Sequence, residues 1–158
     1  MNNKTLFHIL LVLTLIWAGL SSLSYLMMAL LLPQMESIYS QSPTLLPEEF
    51  TVMVQRLFEV PRTYYAGAGL LYLLEVVGAA VMWRLRWTGF HCYALARLLL
   101  LLLPALFLGR EFVGVGDIMM ALLFIGIYYL LLRRLIADQQ EPPADLQPPA
   151  DPQPPAEE

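Results

Sequence analysis

Charge is scarce in this chain and unevenly placed. Only 14% of its 158 residues are Asp, Glu, Lys or Arg, against about 25% in an ordinary soluble domain. A single cysteine, Cys92, excludes an internal disulfide and any CxxC redox or zinc motif. No P-loop, GxGxxG, HExxH or nucleophile–base–acid arrangement is present, so nothing points to catalysis, a metal or a cofactor. No basic cluster exists to engage nucleic acid.

Apolar residues make up 58% of the chain, and the mean hydropathy is +0.61. The apolar residues fall into four blocks, about 6–32, 64–83, 89–108 and 113–135. A helix needs about 20 apolar residues to cross a bilayer, and each block meets that length. The expected fold is therefore all-α: a polytopic four-helix transmembrane bundle over residues 1–136. Open strands are excluded in hydrocarbon, where unpaired backbone groups find no partner. Lys4 followed by Leu6 to Trp17 imitates a signal peptide. The apolar stretch runs on past the usual ~7–15 residues with no A-x-A site, so it reads as an uncleaved first helix.

The loops set the expected orientation. Lys4, Arg84, Arg86, Arg133 and Arg134 fall on one side, at membrane edges. Arg56, Arg62 and Arg110 fall on the other, among Glu36, Glu48, Glu49, Glu59 and Glu111. The positive-inside rule then places both termini in the cytoplasm, with Trp83 and Trp87 in the interfacial belt. The compact four-span form suggests a bacterial plasma membrane.

Residues 33–60 form the main external segment. Within it Phe50, Met53, Val54, Leu57 and Phe58 share one helical face, which predicts an amphipathic helix over 47–59. That helix either caps the bundle or lies on the bilayer, or else serves as a lid or docking surface. Residues 137–158 carry Pro-Pro-Ala-acid units every six residues, at 142–145, 148–151 and 154–157. Six residues are two turns of polyproline II. This composition cannot bury a core, and a disordered cytoplasmic tail is expected.

Two ionisable residues lie inside the apolar blocks: Glu75 in the second and Arg97 in the third. A charge at the centre of a membrane helix costs about 2.5–3.5 kcal/mol or more, so such residues are functional or structural candidates by default. Glu75 lies nine residues before Arg84, and Arg97 nine after Thr88. Both are then about 13–14 Å from the cytoplasmic edge, and equal depth on an antiparallel hairpin suits an ion pair. Tyr72 and Tyr93 are placed one turn away and are expected to donate hydroxyls to it. The pair either locks the hairpin or binds a proton or cationic substrate at Glu75. Gly78 and Ala79 beside Glu75, and Ala18, Gly19, Ser21, Ser22 and Ser24 in the first span, favour close helix packing. His8 and His91, with Cys92, have the chemistry of haem or metal ligands, but their place near the headgroups reads as ordinary interfacial polarity.

An embedded carboxylate in a four-span chain is similar to the small multidrug resistance transporters. Those carry their key Glu in the first helix, whereas here it lies in the second with an Arg at matching depth. Glu75-Val76-Val77-Gly78-Ala79 is loosely similar to the Glu and Gly-Ala of four-span DoxX-like proteins, which would imply a membrane redox or lipid enzyme. Neither likeness assigns a family. The expected role is a non-enzymatic accessory or scaffold subunit, partnered by the lipid bilayer and by a second copy or another membrane protein. The alternative is a dimeric proton- or cation-coupled small transporter using Glu75.

Overall fold

A computed structural model describes residues 3–41, 48–109 and 113–140. The described residues form helices α1 (Asn3–Gln41), α2 (Glu48–Glu59), α3 (Arg62–Met82), α4 (Trp87–Phe107) and α5 (Val115–Gln140), with no strand among them. Four of these, α1, α3, α4 and α5, are long and apolar enough to cross a membrane.

The first helix is longer than its apolar block. At ~1.5 Å per residue its 39 residues reach almost 60 Å. The sequence places an external segment from residue 33, yet the helix runs through Pro33 to Gln41. Proline lacks the N–H that would bond the carbonyl four residues back, here Ala29. That carbonyl accepts from Arg62 Nε instead, at 2.7 Å, so the helix continues without leaving it bare. The far end of the chain departs similarly: residues 137–140, expected in the tail, continue α5. The proline-rich repeat at 142–157 lies outside the described residues.

The long helices form a ring of neighbours in which α1 packs on α3, α3 on α4, α4 on α5 and α5 on α1. The tightest contacts are those of α3. Its inward stripe of Ala68, Gly69, Glu75, Gly78, Ala79 and Met82 is buried, and small residues there let backbones approach. A Cβ on Gly78 would come within 2.7 Å of Tyr93 N, and one on Gly89 within 2.7 Å of Gly78 O. These two glycines bring the backbones of α3 and α4 together just above their turn. On the opposite side, a Cβ on Gly69 would meet Leu26 at 2.7 Å, and Ser22 Oγ donates to Gly69 O at 2.9 Å.

The turn between α3 and α4 covers residues 83–86, and Leu85 takes the left-handed conformation there (φ 53°). For a non-glycine residue that conformation is strained. Leu85 also packs against the main core cluster of Phe7, Leu11, Met82, Tyr93, Tyr128 and Leu132. A second cluster at the other end joins Ala29, Leu32 and Tyr65 to Leu57 and Phe58 of α2.

Glu48–Glu59 is helical, within a residue of the sequence expectation. Leu57 and Phe58 pack toward α1 and α3, and Phe58 meets Tyr39 with ring centroids 5.7 Å apart. Val54 is half-buried. The side chains of Phe50 and Met53 lie outside the described residues.

Helix α5 is attached by one half only. Its buried residues are Ala121, Tyr128, Leu131, Leu132 and Leu135, whereas every residue from 115 to 120 is exposed. Tyr128 Oη and Thr14 Oγ1 share a hydrogen bond at 2.6 Å, which ties α5 to α1 at mid-length.

Candidate functional site

The α3–α4 hairpin brings Glu75 and Arg97 together. Arg97 Nε lies 3.0 Å from Glu75 Oε1, while the hydrogen bond between those atoms is not aligned. The contact is therefore an ion pair held by charge and proximity. In a medium of low dielectric such attraction is far stronger than in water, and removing either partner leaves a buried charge uncompensated.

The two halves of the pair face different surroundings. Glu75 is 0% exposed, whereas the Arg97 side chain is 22% exposed. Glu75 belongs to the buried stripe of α3, one turn from Gly78, where the backbones of α3 and α4 come together. Arg97 sits on the side of α4 that looks toward α1 and α5.

Tyr93 and Tyr72 both lie beside the pair. Tyr93 is fully buried, and its hydroxyl lies within reach of the Arg97 guanidinium. Its ring is close as well: Arg97 Cζ lies 5.9 Å from the ring centroid, a cation–π distance. The edge of Tyr128 packs on the same ring, with centroids 5.0 Å apart. Tyr72 stacks on Tyr25 at 5.5 Å and lines a cleft beside Arg97. Helix geometry puts each tyrosine one turn from the pair, and both stand close enough to act on it electrostatically.

Sequence periodicity gives no sign of the cleft itself. It lies between α1, α4 and α5 and has a volume of about 600 Å³. Leu13, Trp17, Leu101, Met120 and Phe124 form much of its wall, and Thr14, Tyr72, Arg97 and Asp117 are its polar lining. Its origin is the half-attached α5, whose N-terminal portion leaves the ring open. Glu75 is not among the residues that line it.

The two histidines have separate partners. His8 Nδ1 donates to Lys4 O at 2.7 Å, and the His8 ring packs against Trp83 at 5.0 Å. His91 stacks on Trp87 at 6.4 Å. Asp117 Oδ2 accepts from Gly114 N at 3.2 Å, as a residue capping the start of α5 does.

No protein-family model matches the chain, and neither a curated protein nor a solved structure does.

Proposed function

We propose that this chain is a small multi-pass integral membrane protein that works by binding, as an accessory or scaffold subunit, rather than by catalysis or proton-coupled transport. The observation that carries this reading is the enclosure of Glu75. A carboxylate that loads a proton or a cation must be reached from water on at least one side. Glu75 is 0% exposed and paired at 3.0 Å, and the adjacent cleft exposes its Arg97 partner instead. That arrangement suits a lock on the α3–α4 hairpin.

Bilayer insertion is part of the proposal. It is supported by large apolar side chains exposed around the ring, among them Leu30 at 63%, Leu106 at 78% and Val115 at 74%. In water such a surface drives association; in lipid it is what a spanning helix presents. The placement of Lys4, Arg84, Arg86, Arg133 and Arg134 supports cytoplasmic termini in a plasma membrane. The partner is another membrane protein or a second copy, met through helix surfaces or through α2.

The test is made on the full chain in mild detergent and in proteoliposomes. The proposal expects a discrete complex on native gels, larger than the 17.9 kDa chain with its detergent. It also expects no cation-driven proton flux above protein-free vesicles. Flux that vanishes in a well-folded Glu75→Gln variant would establish the transporter instead.

A further inference from the structure

We infer that the cleft between α1, α4 and α5 binds a neutral, lipid-soluble carbonyl compound with one long apolar chain, its carbonyl oxygen accepting hydrogen bonds from Arg97.

The argument starts from the donors of Arg97. A guanidinium carries five N–H groups and no acceptor. Nε faces Glu75 without an aligned hydrogen bond, and the Cζ side is covered by the Tyr93 ring. Part of the side chain opens into the cleft. The partly exposed guanidinium meets the cleft at a depth where N–H groups facing hydrocarbon without an acceptor cost several kcal/mol. An occupant that brings an oxygen to Arg97 relieves that cost.

The charges decide which oxygen. Glu75 already balances Arg97, and Asp117 adds a second negative group to the lining of the cleft. A ligand carboxylate or phosphate would be repelled by both in a medium of low dielectric. A neutral carbonyl accepts from the guanidinium without that repulsion. Apart from Thr14 and Tyr72 the remaining wall is apolar and aromatic, from Leu13 and Trp17 to Met120 and Phe124, which suits an alkyl or isoprenoid body. The volume of about 600 Å³ lies within the ~300–1,000 Å³ of small-molecule sites, and it accommodates one chain rather than a two-chain phospholipid. The exposed first turns of α5 leave a lateral way in from the bilayer.

This site requires bilayer placement but no partner protein, so the two readings fail separately. A missing native complex leaves ligand binding intact, and missing ligand binding leaves a complex intact. The experiment uses the full chain in nanodiscs with two photoreactive diazirine probes, a methyl ester of a sixteen-carbon fatty acid and the corresponding free acid. The expected result is saturable 1:1 labelling by the ester, on peptides carrying Trp17 and Met120. Ala121→Trp, which fills the cleft, should reduce labelling at least tenfold. Leu122→Trp, at an exposed position, should leave it unchanged. Should Ala121→Trp fail to fold, Leu13→Trp narrows the same cleft from an exposed site and should give the same loss. Labelling that does not saturate, or that survives the filling variants, overturns the site. Stronger labelling by the free acid than by the ester overturns the neutral-carbonyl assignment.

Discussion

Arg62 and Ala29, 33 residues apart, meet through a 2.7 Å hydrogen bond from the Arg62 Nε to the Ala29 carbonyl. That carbonyl is the one Pro33 deprives of its helical donor. A proline that would otherwise mark the end of an apolar helix is thereby absorbed into a longer one, and the start of α3 is fixed to α1. Arg62→Ala should lower stability by about 1.5–3 kcal/mol, the range for a hydrogen bond with a charged donor. Pro33→Ala restores the in-helix donor, so in that background Arg62→Ala should cost much less. Thermal midpoints of the four proteins in detergent check the coupling.

The glycines of the ring divide into two kinds. Gly78 and Gly89 lie where an added Cβ would collide with backbone of the facing helix. Gly126 and Gly19 have nothing within 4 Å. Gly78→Ala or Gly89→Ala should cost on the order of 1–3 kcal/mol or more, as overpacking does. Gly126→Ala and Gly19→Ala should be neutral or gain up to about 1 kcal/mol of helix propensity. Equal effects at all four positions would contradict the close α3–α4 approach.

Thr14 and Tyr128 join α1 to α5 through a side chain–side chain hydrogen bond of 2.6 Å. Such bonds in membranes average about 0.6 kcal/mol and reach about 1.7. Tyr128→Phe and Thr14→Val should each cost about that amount, and the double variant about as much as either one. Hydrogen exchange in α5 should rise in all three, because this bond anchors a helix held by only half its length.

Orientation is open to direct chemistry, since Cys92 is the single cysteine. In a Cys92→Ser background, Ser42→Cys should react with a membrane-impermeant maleimide added outside intact cells. Gln147→Cys should react only after permeabilisation. The reverse pattern would place the termini outside.

Much of the fold is legible from hydropathy alone. The four apolar blocks became α1, α3, α4 and α5 because hydrocarbon-length runs leave the backbone little alternative to helix. The depth match of Glu75 and Arg97 follows from helical rise and a short turn. What the sequence hides is non-local. Pro33 reads as a helix end because its compensating donor, Arg62, lies far along the chain. Gly89 reads as an ordinary helix start, although the 11-residue spacing from Gly78 across a tight turn is a signal that those two would face each other. The cleft depends on how closely α5 approaches α1 and α4 along its length. Periodicity does not report that angle, and Leu10, Leu13 and Trp17 look lipid-facing until it is known.

The Glu75–Arg97 contact is the proposed lock on the α3–α4 hairpin, and a double-mutant cycle tests it most directly. Thermal midpoints of purified wild type, Glu75→Gln, Arg97→Gln and the Glu75→Gln/Arg97→Gln double variant would be compared. A structural lock predicts about 3–5 kcal/mol lost in each single variant, where one buried charge is left alone. It predicts a double variant much closer to wild type, with a coupling well above ~0.5 kcal/mol. Near-normal stability in both single variants, with no coupling between them, would contradict the lock and return Glu75 to the role of a proton or cation carrier.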